Sequence, residues 1–164
     1  MIELFNTTDI DTKYKYLLST IKDTLEHENN VGANLSNITA ILNYYLSDIN
    51  WVGFYLCDEK KENELVLSYF QGNVACTRIP FGKGVCGTAI LENRILVVED
   101  VHKFPGHIAC DSASNSEIVI PINVNNKKYG VLDIDSPLVN RFSQKEVDIL
   151  KDVVIEIEKF LSRI

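Results

Sequence analysis

Two apolar runs, residues 118–124 and 129–135, flank a polar turn at 125–128. Runs rich in Val and Ile on either side of a short polar break predict a β-hairpin. Side chains alternate along a strand, so Leu132 and Ile134 face one way while Asp133 and Asp135 face the other. Folding about the turn brings Glu117 roughly opposite Asp135. Such a sheet must have a hydrophobic core on one side and an acidic patch on the other. Like charges crowded together are unfavourable unless a cation sits among them or a proton is shared. A ligand ammonium or a metal ion would satisfy them, and so would solvent. Pro121 has no N–H to give a ladder, so it marks an edge or a bulge.

The remaining chain supplies what such a hairpin packs against. Tyr14, Leu17, Leu18, Ile21 and Leu25 keep the three-to-four spacing of a helix over 12–27. Leu35, Ile38, Leu42 and Tyr45 continue it in a second helix that stops near Asp48. Residues 51–56 are aromatic and β-branched, as strands are, and 65–70 is the hairpin partner across a charged turn at 58–63. Gly82, Gly84 and Gly87 mark a loop leading into a short helix through Leu91, followed by a short strand at 95–98. Residues 99–116 lack periodicity and predict a long loop, which inside a compact domain is usually functional. Ser143 and Glu146 form a capping box that opens a last helix with Val147, Leu150, Val154, Ile157 and Leu161 as its buried stripe. The order predicts an α+β fold, with a central, mostly antiparallel sheet and the N-terminal and C-terminal helices on one face. At 164 residues, the expectation is a single domain over 1–164.

The net charge of −7 argues against nucleic acid and against anionic membranes as partners. The first residues lack a basic segment followed by an apolar run, and no apolar stretch approaches the ~18 residues of a membrane span. The expected location is cytoplasmic. There cysteines stay reduced unless they work, which makes four of them worth placing.

Cys57 ends an apolar strand and reads as a small hydrophobe. Cys76, Cys86 and Cys110 lie in irregular, glycine-containing segments. Cys86 stands at the start of a helix, where the dipole lowers a thiol's pKa. One thiolate can attack a substrate and a second can close a disulfide on the oxidised product. Cys76, Cys86, His102, His107 and Cys110 could alternatively hold zinc, but no Cys-x-x-Cys pair exists, and neither a metal nor a bound cofactor is expected. His102 and His107 could also act as acids or bases. The glycine-rich segment fails the phosphate-loop pattern, and no nucleophile elbow is present. Trp51 and Tyr55, four apart in one strand, share a face. They serve either as core or as the apolar wall of a pocket.

Taken together, Asn50-Trp51-Val52-Gly53-Phe54-Tyr55, the segment 75–89 with Cys76 and Cys86, Val98-Glu99-Asp100-Val101-His102, the segment 104–119 with Cys110 and Glu117, and Gly130-Val131-Leu132-Asp133-Ile134-Asp135-Ser136-Pro137 resemble the free methionine-(R)-sulfoxide reductases, enzymes built on a single GAF domain. The resemblance covers about residues 50–142. It implies reduction of free L-methionine-(R)-sulfoxide through a sulfenic acid and then a disulfide that thioredoxin reduces. By motif, Cys110 matches the attacking thiol and Cys76 the resolving one, with Cys86, the family's third cysteine, as competing candidate. Glu117, Asp133 and Asp135 match pocket acids, and Trp51 and Tyr55 the wall around the methyl-sulfinyl end. The resemblance also implies a homodimer paired through terminal helices. The alternative is a ligand-sensing GAF module without catalysis, since fold alone does not settle function.

Overall fold

The computed structural model describes residues 4–106 and 110–164. The elements follow in the order α1 (Ile10–His27), α2 (Val31–Tyr45), β1 (Trp51–Cys57), β2 (Glu64–Gly72), β3 (Arg78–Pro80), α3 (Gly84–Glu92), β4 (Leu96–Val98), a 3-10 turn (Val101–Lys103), β5 (Ser116–Val124), β6 (Lys127–Ser136) and α4 (Gln144–Arg163). The strands form one sheet in the order β3-β2-β1-β6-β5-β4, with every neighbouring pair antiparallel.

The expected hairpin forms the interior strands β6 and β5 of this sheet. Asn125 and Asn126 take positive φ, 51° and 62°, in the two-residue connection that matches the right-handed twist of the flanking strands. Pro121 sits where β5 runs beyond the three residues paired with β4, one position before a register shift at Ile122/Asn123. Both features fit a residue that cannot donate.

The alternation along β6 divides the molecule into two cores. Leu132 and Ile134, with Val52 and Phe54 of β1 and Ile118, Ile120 and Ile122 of β5, face a cluster built from α1, α2 and α4. Leu17, Ile21, Leu35, Ile38, Leu42, Leu150, Val153 and Ile157 are buried in it, each contributing about 1.5–3 kcal/mol relative to exposure. The helices start where their caps dictate: Asp9 accepts from the Thr12 N–H at 2.8 Å, and Asn30 from the Ala33 N–H at 2.9 Å. The capping box at Ser143 and Glu146 is formed on both sides.

The opposite face of the sheet carries the second core. Trp51 and Tyr55 meet Leu65, Ile79, Val85, Ile90, Leu96, Val119 and Val131 there. Strand β3 was not anticipated. Its three residues are too few for a periodic signal, and it is held by register with β2 and by Arg78, which reaches Asp58 at 2.6 Å and Glu64 at 2.9 Å. The segment expected as a loop around Gly84 is already the first turn of α3.

Candidate active site

The site lies on the sheet face away from the terminal helices. Its wall begins with β1. Trp51 stacks on Tyr55 with ring centroids 5.8 Å apart and on Phe70 at 5.3 Å. Gly53 between them makes this possible: a Cβ there would stand 2.6 Å from the Trp51 ring and 2.4 Å from the Phe70 Cβ. The polar tips of both aromatics are used. The Trp51 indole N–H donates to the Asn73 carbonyl at 3.1 Å, and the Tyr55 hydroxyl to the Cys76 carbonyl at 3.0 Å. The wall thereby anchors the loop that carries Cys76.

The floor is acidic. Glu117 is the register partner of Asp135 across β5 and β6, while Asp133 and Asp135 stand opposite Gly53 and Trp51 of β1. Glu117 and Asp133 are buried, as the alternation of β6 requires once its other face is core. Asp133 Oδ1 has no hydrogen-bond partner among the described residues. Burial disfavours a charge that water no longer solvates. It pushes Asp133 up to about 6. Burial first, and the neighbouring Asp133 charge second, hold Glu117 and Asp135 well above the usual carboxylate range. The cluster therefore retains protons where isolated carboxylates would have lost them.

Cys86 enters this floor from the first turn of α3, its Sγ 3.8 Å from Glu117 Oε1. The close approach of α3 to β3 fixes that position. A Cβ on Gly87 would lie 2.4 Å from the Pro80 carbonyl oxygen, so only glycine lets the helix come this near. The expectation that the helix start lowers the Cys86 thiol's pKa is overturned. Burial, followed by the Asp133 and Glu117 charges, pushes the thiol well above its ordinary range, and these outweigh a partial helix charge.

Cys110 and Cys76 are joined in a disulfide, with Cα atoms 5.3 Å apart and 34 positions apart in sequence. Cys110, Trp51, Tyr55, Cys86, Glu117, Asp133 and Asp135 line a single pocket, with Cys76 bonded to Cys110 at its rim. Cys57 remains a free thiol outside that lining. His102 is also outside it, with a ring nitrogen 3.0 Å from Asn115 Oδ1. His107 lies outside the described residues.

Sequence reading passed over Asp111 as a contributor to the site. It lines the pocket beside Cys110. Its Oδ2 accepts from the amides of Asn50 at 3.2 Å and Asn73 at 3.3 Å, and its Oδ1 from the Ala113 N–H at 2.9 Å. The Asn50 amide also donates to Ser114 at 3.1 Å. This network ties the Cys110 loop to the start of β1 and to the loop of Cys76. Only the position of Asp111 next to a cysteine hinted at it, because its partners lie 38 and 61 residues away.

Helices on both faces of one antiparallel sheet, with a recess on the face away from the terminal helices, are the build of a GAF domain, and the GAF domain family model matches residues 37–157. The free methionine-R-sulfoxide reductase of Escherichia coli is 52% identical over 130 residues, covering 79% of this chain and 77% of that protein. The free methionine-R-sulfoxide reductase of Neisseria meningitidis, solved in complex with its substrate, superposes with a TM-score of 0.93 at 42% identity, covering 99% of this chain and 98% of that one. The reduced form of the Staphylococcus aureus fRMsr gives a TM-score of 0.86 at 48% identity, over 98% and 99% of the two chains. This chain belongs to the free methionine-R-sulfoxide reductases, a family of GAF-domain oxidoreductases.

Proposed function

We propose that this protein reduces free L-methionine-(R)-sulfoxide to L-methionine with its own cysteines, and that thioredoxin returns them to the thiol state. The observation that carries the reading is the Cys76–Cys110 disulfide at the rim of a pocket floored by Glu117, Asp133 and Asp135.

The chemistry follows from those parts. The Cys110 thiolate attacks the sulfoxide sulfur while a proton held in the acid cluster moves to the sulfoxide oxygen. The sulfur–sulfur bond so formed and the S–O bond then break as the hydroxyl passes to the Cys110 sulfur, the sulfur–sulfur electron pair leaves with methionine, and Cys110 is left as a sulfenic acid. The Cys76 thiol then attacks the sulfenic sulfur. A disulfide forms and water departs. A thioredoxin dithiol opens that bond by exchange. Cys86, buried and with its thiol pushed upward by that burial, is poorly suited to be the attacking thiolate, which favours Cys110.

The pocket acids explain a preference for the free amino acid. An ammonium among Glu117, Asp133 and Asp135 supplies the counter-charge that burial denies them. A residue within a polypeptide has no ammonium and would leave those acids unpaired, which is a strong ground for rejection. The stacked rings of Trp51 and Tyr55 offer an apolar wall to the methyl-sulfinyl end. Among the described residues no helix is long and apolar enough to cross a membrane, in keeping with the proposed cytoplasmic setting. Pairing of two copies through the terminal helices belongs to the same proposal. Ile10 and Ile155 there are exposed.

A single-turnover experiment tests the mechanism. Reduced protein is mixed with free (R)-sulfoxide and no reductant. One methionine should form per chain, with a Cys76–Cys110 crosslink seen by peptide mass spectrometry. Tight binding of the sulfoxide with no methionine released would favour a sensing module.

A further inference from the structure

We infer that Cys86, Glu117 and Asp133 form a binding site for a thiophilic divalent cation of the zinc or cadmium type, separate from the redox pair. One ligand atom from each of the three lies within 4.8 Å of the others. Zinc-type ions take sulfur at ~2.3 Å and carboxylate oxygen at ~2.0–2.2 Å. At a tetrahedral angle those bonds set the sulfur–oxygen separation near ~3.6 Å, and Cys86 Sγ stands 3.8 Å from Glu117 Oε1. Cys86 and Glu117 need almost no rearrangement to close on an ion, and the Asp133 carboxylate oxygen lies within 4.8 Å of both.

A second observation points the same way. Asp133 is only 5% exposed, yet its Oδ1 has no hydrogen-bond partner among the described residues. A buried polar atom without a partner carries a desolvation penalty, and a cation removes it. The mixed donor set matters too. One sulfur with two carboxylate oxygens suits a borderline-soft ion better than calcium or magnesium, which take oxygen ligands. All three residues line the pocket, so the fourth coordination position opens toward the space a small molecule would enter.

The consequence for function rests on the reductase reading. An ion held by Glu117 and Asp133 occupies two of the acids assigned to the substrate ammonium, so cation and sulfoxide exclude one another. The site is then an inhibitory one, sensitive to thiophilic metal even when the redox cysteines are closed.

The oxidised protein isolates the question, because with Cys76 and Cys110 joined the remaining thiols are Cys57 and Cys86. Cadmium is titrated into it while the ultraviolet thiolate-to-cadmium absorption is followed. The expected result is one cadmium per chain, with the band retained in Cys57→Ser and lost in Cys86→Ser. Asp133→Asn, shown folded by circular dichroism, should keep the band and weaken binding by at least about tenfold. It also serves as the test should Cys86→Ser not fold. No band in the wild-type chain, a band that survives Cys86→Ser, or unchanged affinity in Asp133→Asn would overturn the site. Exclusion is read in a Cys76→Ser/Cys110→Ser chain, which cannot consume substrate. Free (R)-sulfoxide should raise the apparent cadmium dissociation constant, and no change would overturn the inhibitory role. Failure of these titrations leaves turnover by the wild-type enzyme intact, whereas failure of the reductase reading would appear as no turnover at all.

Discussion

Glu117 and Asp135 face one another as register partners across the β5–β6 hairpin, and both carboxyls are held above the ordinary range chiefly by burial. Two acids so placed are poised to receive a cation, and the proposed substrate brings one. Asp135→Asn removes a charge-assisted contact with the ammonium. Such a contact in a buried setting is worth about 1.5–3 kcal/mol, which converts to roughly a 10–100-fold loss in kcat/KM for free sulfoxide. An N-acetylated sulfoxide lacks the ammonium and should respond far less to the substitution. Equal losses for both compounds would remove Asp135 from amine recognition.

Cys110→Ser should lower turnover by about three orders of magnitude or more, as expected when a covalent nucleophile is lost. The melting curve of the reduced protein should shift little. Retained turnover in this variant would transfer the attacking role to another thiol.

Cys76→Ser should release one methionine per chain and then stall with thioredoxin as reductant, because no disulfide can form for exchange. The stalled protein should carry a sulfenic acid on Cys110 that a carbon nucleophile such as dimedone traps. Continued cycling would point to Cys86 as the resolving thiol.

The acid cluster also makes a prediction about stability. Asp133 titrates at about 6 in the folded chain, above its ordinary value of 3.8. Between those two values the folded state holds more protons than the unfolded one, so stability falls as pH rises through this window. The unligated protein should therefore melt higher near pH 4 than near pH 6.5 as far as this group is concerned. Asp133→Asn removes the burden of the buried charge. Its melting temperature should exceed the wild-type value near neutral pH and converge with it on acidification. A stabilisation of ~1 kcal/mol corresponds to about 2–4 °C in a chain of this size. Melting temperatures that run parallel from pH 4 to 7 would show that Asp133 is not strained by its setting.

Much of this architecture was legible in the sequence, for reasons that individual residues make plain. Period-two alternation in β6 assigned Leu132 and Ile134 to the core and Asp133 and Asp135 to the opposite face, and the same alternation put Trp51 with Tyr55. The capping box at Ser143 and the spacing in α1 and α4 are local signals that tertiary context had no cause to override. Strand β3 escaped because three residues carry no period, and it is held by Arg78 contacts with Asp58 in the β1–β2 turn and Glu64 of β2. The Cys86 expectation failed because a helix start is a local feature, whereas its burial among Glu117 and Asp133 depends on strands 31 and 47 residues further along. The hydrogen bonds of Asp111 are long-range in the same way. Which cysteines pair was not legible from spacing alone, and came from the resemblance.

Reduction of the (R) epimer of free methionine sulfoxide by thiol chemistry is the activity proposed for this pocket. The most direct measurement follows NADPH consumption with thioredoxin, thioredoxin reductase and this protein, offering the free (R) and (S) epimers separately. Sustained consumption is expected with the (R) epimer and none with the (S). No consumption with either epimer, from protein shown to be folded and reduced, would contradict it.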